Sequence, residues 1–472
     1  MTSLIAVIDI GKTNAKLLLM NASDGSTVWR TERVSPAVPS RHAETDGLLD
    51  RELDVQGIES WLLAQLASLP DRERVRAIVP VAHGAAMVLV DGAGDVLVAP
   101  DYEDRHFDRL PAEYMTLRAP FSRRLSPSLP PGQYLGNQIF YLQHAAPALF
   151  RRTRLILTYP QYWAWRLSGV AASELTSVGC HSDLWCPIEG HFSDLAITQG
   201  WASLMPPIRP ARAVLGTLRR EVVAATGLSA GCAVVCGIHD SSASYLSHLV
   251  SRREGETFAV LTSGTWCVLL AHGADLGRLC EADGMLSIVD ALGSPIASAR
   301  FMGGREYAAI AGAAAQGVQP NSDNLGAILA AGAMALPAFA PAGPFQGARG
   351  RLLNAELLTL EGRAALATVY CALMADFILE RLGVAGTILI DGPLAANPLF
   401  APVLQSLRPA DAIASGGTRS GIAAAVLWLA GEAAIPEPSA MPVAALSQAA
   451  FLRTYRDRWT SLLPSTSYRV PR

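Results

Sequence analysis

Two segments constrain this chain most. "AVIDIGKTNAKLLL" from Ala6 and "AVLTSGTWCVLL" from Ala259 share one frame: Ala-Val, three residues, a glycine, a polar turn and a second apolar run. Each reads as two strands joined by a turn, a unit too small to be stable by itself. Two such units about half a chain apart predict two domains built on one plan. A length of 472 residues also suits two cores better than one. The first unit carries a second peculiarity. Lys12 and Lys16 are the only lysines among 38 basic residues. A general arginine bias explains their absence elsewhere, so the information lies in where the two remain.

The surrounding pattern supplies the fold class. "LIAVIDIG", "AKLLLMN" and "TVWRTERV" read as three antiparallel strands, with "ASDGS" as a turn. A helical period follows at 55–68, then "VRAIVPVAH" as a buried strand. Strands followed by helix and strand predict an α/β protein with mixed sheets flanked by helices. A buried strand at 233–238 breaks at Gly237, Asp240 can cap a helix over about 241–252, and that helix marks the boundary. The expected domains are 1–245 and 246–472. Later, "AGTILIDGPLAANPLF" reads as a strand ending in a Gly-Pro turn. "DAIASGGTRSGIAAAVLWLAG" reads as a strand, a glycine turn and an Ala-rich helix. The stretch 309–350 is poorly periodic and carries little assignment.

Composition narrows the function classes. Half the residues are apolar, 17% are charged and the net charge is −3, which fits a globular protein without the basic field nucleic-acid binders need. No uninterrupted apolar run approaches the ~20 residues of a spanning helix, and no signal-peptide pattern opens the chain. Seven cysteines without paired CxxC spacing point to reduced thiols and a cytoplasmic home. No nucleic-acid or membrane partner is expected.

The turns carry the chemistry. A strand ending in Asp9 followed at once by a polar turn places a carboxylate beside backbone N–H groups. The N–H groups can hold phosphate oxygens and the carboxylate a hydrated Mg²⁺. Lys16 and Lys12 would add compact positive charge; for Lys12 a solvated turn is the equal alternative. The hydroxyl-rich turn Thr262-Ser263-Gly264-Thr265 is a second phosphate-sized loop, in which Gly264 is expected to take a conformation reserved for glycine.

These motifs resemble those of the FGGY family of carbohydrate kinases. Asp9-x-Gly11-Lys12-Thr13-Asn14-x-Lys16 is similar to its first phosphate motif, Leu261 to Trp266 to its second, and Gly237-Ile238-His239-Asp240 to the segment bearing its catalytic base. "AHGAAMVLVDGAGDVLVAPDYEDR" resembles the sugar-side segment, "PQYWAWRLSG" with "ELTSVGCHSDLW" the mid-domain pattern, and "DGPLAANPLF" the adenosine segment, with only Gly392 left of its usual glycines. The resemblance implies two ribonuclease-H-like domains of the actin-like ATPase type with the active-site cleft between them. It implies ATP and Mg²⁺ as cofactors, Asp240 as catalytic base and Asp9 as metal ligand. Gly11, Lys12, Thr13, Asn14, Lys16, Thr262, Ser263, Gly264 and Thr265 would hold phosphates. Gly392, Pro393 and Asn397 would hold adenosine, and His83, Asp104, Arg105 and His239 the sugar. Trp163, Trp165 and Trp185 read as core. The implied reaction is ATP-dependent phosphorylation of a ketose: a 6-deoxy-ketohexose such as L-fuculose or L-rhamnulose, or a pentulose such as xylulose. A homodimer is compatible with it. The competing class is a regulatory or partner-binding ATPase of the same superfold, in which a sugar-facing His239-Asp240 pair would have no task.

Overall fold

The computed structural model describes residues 2–42, 47–109, 112–252, 255–315, 317–415, 422–432 and 441–464. They fall into two compact units. The first comprises Met1–Arg252, Ser287–Pro295 and Arg419–Glu437; the second comprises Arg253–Leu286, Ile296–Thr418 and Pro438–Arg472. The sequence suggests a single cut at 245/246, whereas in the structure two later segments return to the first unit.

In the first unit Leu4–Ile10, Asn14–Asn21 and Thr27–Val34 form an antiparallel meander. Val75–Ala82 joins parallel to Leu4–Ile10, Ala233–Val235 joins parallel to Val75–Ala82, and Val214–Thr217 closes the edge antiparallel. Val75–Ala82 is buried along nearly its whole length, which is why it reads as an unbroken apolar run rather than an alternation. The outer strand Thr27–Val34 alternates exposed and half-buried positions.

Helices cover both faces. On one, Val55, Ile58, Leu62 and Leu66 of helix Val55–Ala67 form an i, i+3, i+4 stripe against Leu4, Ala6, Ile8, Leu17 and Leu19. That helix starts where Asp54 accepts the Gly57 N–H at 2.9 Å. On the other, Ile5, Val7, Met20, Val79 and Val81 meet Ala243 and Leu246 of helix Asp240–Leu249 and Ala425, Val426 and Leu429 of helix Ala423–Leu429.

The second unit repeats the plan. Pro295–Phe301, Cys267–His272 and Phe258–Ser263 are antiparallel neighbours, Thr387–Asp391 lies parallel to Phe258–Ser263, and Ala412–Ser415 lies parallel to Thr387–Asp391. The Ala-Val-x-x-x-Gly frame thus marks equivalent strands of two ribonuclease-H-like sheets. The glycine turn at 416–417 lies outside the described residues. The segment 309–350 contributes a helix, Ser322–Ala331, and a strand, Met334–Leu336, paired with Arg351–Leu353.

Helix Leu360–Leu382 has no counterpart in the sequence reading. It is long and apolar enough to cross a membrane, but 89% of its most apolar window is buried in protein, which makes it a core helix. Thr359 caps its start by accepting the Gly362 N–H at 3.2 Å.

Candidate active site

In the first unit the meander register sets the first pair. Asp9 and Lys16 are direct cross-strand partners, so their side chains share one face, and Lys16 Nζ lies 3.4 Å from Asp9 Oδ2. Burial raises the Asp9 pKa, Lys16 opposes that rise, and the charge of Asp240 adds to it. Asp240 also acts on His83, His239 and Tyr102. Ile10, Ala82 and His239 are neighbours in register, the His83 and Tyr102 rings lie 6.0 Å apart and His239 faces Asp240, so these side chains, from four separate stretches of chain, converge at one end of the sheet. Burial lowers the pKa of both histidines, so both are neutral at pH 7. His83 Nδ1 faces the Gly84 carbonyl at 2.8 Å, and His239 Nε2 faces Asp240 Oδ1 at 3.3 Å. A side chain at Gly84 would collide with His239, its Cβ lying 2.6 Å from Nε2. Burial pushes Tyr102 up to about 12, helped by Glu103, Asp101 and Asp240.

Asp240 departs from the expected cap. The helix begins at Asp240 itself, and His239 precedes it in extended conformation without a side-chain capping bond. Asp240 Oδ1 instead accepts the Ser241 N–H at 2.6 Å, and the side chain is about a third exposed. The junction before it is tightly held. Gly237 sits at φ +87°, where an added Cβ would lie 3.1 Å from Pro80 Cβ, and Gln161 Nε2 donates to the carbonyls of Cys236 and Gly237 at 3.1 and 3.3 Å.

The first turn is only partly as expected. Thr13 and Asn14 are exposed, and the Gly11 N–H is spent within the turn on Asn14 O at 2.9 Å. Lys12 takes neither of its expected roles wholly. Its ammonium lies 2.5 Å from Asp101 Oδ1, 3.6 Å from Glu103 and 5.0 Å from the centre of the Tyr102 ring. Asp101 is fully buried and also accepts from Arg51 and from the Glu103 N–H at 3.0 Å. Burial would raise its pKa, but the Lys12 and Arg51 hydrogen bonds outweigh that and hold it low.

Two sugar-side residues need correction. Asp104 Oδ2 accepts the N–H groups of Asp50 and Arg51, both at 2.7 Å, and Oδ1 accepts the N–H and Nδ1 of His106, both at 2.8 Å. Four bonds saturate a buried carboxylate, so Asp104 ties loops together and presents nothing to a sugar. Arg105 is 76% exposed and pairs with Asp50 at 2.5 Å, an ordinary surface ion pair. The acidic group this segment turns towards Lys12 is Asp101, three positions earlier. Sequence reading missed it because a motif match places a segment but not which of Asp101, Glu103, Asp104 and Arg105 turns inward.

In the second unit the two expected groups meet. Gly392, at φ +79°, packs so closely on Ser263 that a Cβ would lie 2.9 Å from Ser263 Oγ. Ser263 Oγ donates to Asp391 O at 2.7 Å and accepts the Leu394 N–H at 2.9 Å. The Ser263 hydroxyl is therefore used inside the fold, whereas Gly264 and Thr265 are exposed beside Gly392 and Pro393. Asn397 is turned inward too, accepting the Leu399 N–H at 3.0 Å and donating to Thr368 at 3.0 Å. Gly264 is not left-handed, and a Cβ there would meet only Trp266 O at 3.7 Å. The glycine this turn requires is Gly304. A Cβ on Gly304 would lie 3.1 Å from the Gly264 carbonyl carbon and 3.2 Å from Thr265 Cα.

The C-terminal domain of FGGY carbohydrate kinases matches residues 255–438. A carbohydrate kinase from Novosphingobium aromaticivorans is 33% identical over 99% of this chain and 100% of its own, with a TM-score of 0.88. The chain belongs to the FGGY family of carbohydrate kinases. This FGGY kinase shares its fold with a xylulose kinase from Rhodospirillum rubrum (18% identity, 97% and 98% coverage, TM-score 0.74). It shares it also with an ADP-bound glycerol kinase from Plasmodium falciparum (13% identity, 98% and 96% coverage, TM-score 0.72). No curated protein matches the sequence. As an FGGY kinase the protein is a phosphotransferase acting on a carbohydrate.

Proposed function

We propose that this kinase transfers the γ-phosphoryl group of ATP to a hydroxyl of an uncharged ketose, a 6-deoxy-ketohexose such as L-fuculose or L-rhamnulose, or a pentulose such as xylulose. The observation that carries the reading is the convergence of Asp240 with His83, His239 and Tyr102 at the sheet end that also bears the Asp9–Lys16 pair. Asp240 would accept the hydroxyl proton, and the neutral imidazoles would offer hydrogen bonds to other hydroxyls. The cations on the sugar side are already neutralised, Lys12 by Asp101 and Arg51 by Asp101 and Glu103. That favours a neutral polyol over a sugar acid.

Asp9 fits a hydrated Mg²⁺. It is a single, partly exposed carboxylate, and among the described residues its one ion pair is a loose 3.4 Å contact with Lys16. Mg²⁺ commonly keeps waters and binds through one carboxylate plus substrate phosphates. When bound, it neutralises charge on the phosphates of the transferring group. Lys16 would hold phosphate from the same face; in the second unit, taken by itself, the exposed backbone at Gly264 and Thr265 is suited to phosphate oxygens.

The test is turnover of ATP against a panel of L-fuculose, L-rhamnulose, xylulose, glycerol and gluconate. Ketose-dependent ADP release supports the reading; sugar-independent turnover, or preference for gluconate, overturns it. The two lysines give a sharper prediction. Lys16→Ala should raise KM for ATP about tenfold or more with the sugar KM unchanged, and Lys16→Arg should rescue it only partly, since a planar fork does not replace a compact ammonium. Lys12→Ala should act mainly on stability, costing about 1–3 kcal/mol as a buried carboxylate loses one partner. Equal ATP defects in both variants would show that the two lysines do one job.

A further inference from the structure

Two buried polar chains reach the backbone just ahead of Asp240, and only one has been accounted for. Gln161 holds the carbonyls of Cys236 and Gly237. The other holds an N–H. The His239 N–H donates to Thr176 Oγ1 at 3.1 Å. Thr176 is fully buried and its hydroxyl in turn donates to Glu174 Oε2 at 2.5 Å. Glu174 is 1% exposed and also accepts the Thr176 N–H at 3.0 Å, capping the short helix Leu175–Val178. A buried carboxyl is costly to keep without a basic partner, and among the described residues Glu174 has none, yet it ends a chain of hydrogen bonds one residue from Asp240.

We propose that Glu174, acting through Thr176, is a positioning residue for Asp240, fixing the strand-to-helix junction that aims the base. This rests on the reading of Asp240 as the proton acceptor. The physical basis is directional. An ionised Glu174 can only accept, so the Thr176 O–H must point at it, which leaves a hydroxyl lone pair for the His239 N–H. A protonated Glu174 is a weaker acceptor and has an O–H of its own; donating it to Thr176 Oγ1 turns the Thr176 O–H away and fills one of that oxygen's two lone pairs, so the hydroxyl is a poorer and less fixed acceptor for the His239 N–H. The proton on Glu174 thereby alters how firmly residue 239 is held.

The surroundings place that switch in the working range. Burial pushes the Glu174 pKa up to about 7; hydrogen bonds from Thr176 and Ser177 oppose the rise and the charge of Asp290 assists it. Among the described residues the titratable groups facing Glu174 are Asp290 and the Cys236 thiol, which burial and Glu174 keep protonated, while Arg209, whose N–H donates to the Ser173 carbonyl at 2.8 Å, acts on that thiol in the opposite sense. Below about pH 7 the anchor is loosened; above it the anchor is set.

The experiment measures kcat, both KM values and melting curves from pH 5.5 to 9 for wild type, Thr176→Val, Thr176→Ser, Glu174→Gln and Asp240→Asn, with the panel ketose that wild type turns over fastest. Deuterium uptake of the peptide spanning residues 236–241 is measured in parallel and needs no substrate. Thr176→Val should lower kcat about ten- to a hundredfold, the scale of a misplaced catalytic group, with KM for ATP unchanged and faster uptake at 236–241. Thr176→Ser should restore both. Glu174→Gln, which keeps an acceptor at every pH, should lose the ionisation near pH 7 that wild-type kcat shows. If Thr176→Val does not fold, Glu174→Gln and the uptake measurement carry the test. Wild-type kcat profiles and uptake in the Thr176 and Glu174 variants, alongside a crippled Asp240→Asn, would overturn the inference while sparing the base. A fully active Asp240→Asn would overturn the base instead, and with it the inference.

Discussion

Asp240→Asn should lower kcat by ~10²–10⁴-fold, the usual contribution of a positioned general base, while leaving the melting curve and both ligand affinities near those of wild type. The structure makes this substitution cleaner than a capping residue would allow. His239 occupies the cap position, and among the described residues the Asp240 side chain bonds the Ser241 N–H and hydroxyl, at 2.6 and 3.2 Å, and faces His239. An Asn oxygen accepts the same N–H. What is lost is one negative charge in the first helical turn, about 0.3–1 kcal/mol at a helix N-terminus. A small stability change with a large rate change is the signature of the base. Near-normal kcat in a normally folded variant would sink the mechanism.

Gly304→Val should weaken ATP binding by about tenfold or more, whereas Gly264→Ala should leave it within about twofold. The first forces a side chain into the backbone of Gly264 and Thr265. Overpacking of that kind costs roughly 1–3 kcal/mol, and about 1.4 kcal/mol is tenfold in affinity. The second adds a methyl group in ordinary contact distance of Trp266 O, on a backbone that is not left-handed. Calorimetric titration with ATP separates the two. The reverse ranking would mean that the turn itself, not its packing on Gly304, sets the nucleotide site.

What could be read from the sequence was whatever short-range register decides. Asp9 and Lys16 are brought together by a three-residue turn, so naming the hairpin named the pair. The repeated frame at Ala6 and Ala259 was legible because identical patterns on equivalent strands need no long-range information. Asp101 and Asp104 were not separable in this way. Both lie in one irregular segment, and which of them meets Lys12 depends on the short strand Arg51–Leu53, whose Arg51 is paired to Asp101 from fifty residues away. Gly304 escapes the sequence reading for a related reason: the turn at Gly264 is crowded, but the residue that must be small there is Gly304, forty positions on. Helix Leu360–Leu382 escaped because it is buried nearly all round, and a helix with no polar face shows no 3.6-residue stripe.

The return of Arg419–Glu437 to the first unit has a bearing on how the protein is made. The sheet face bearing Ile5, Val7 and Met20 is completed by helix Ala423–Leu429, which leaves the ribosome only after everything before it has been synthesised. Until then the earliest strands to emerge carry an uncovered apolar surface, the kind of species that aggregates. A nascent chain halted near residue 252 should therefore stay bound to holding chaperones. Adding the 419–437 segment in trans should release it.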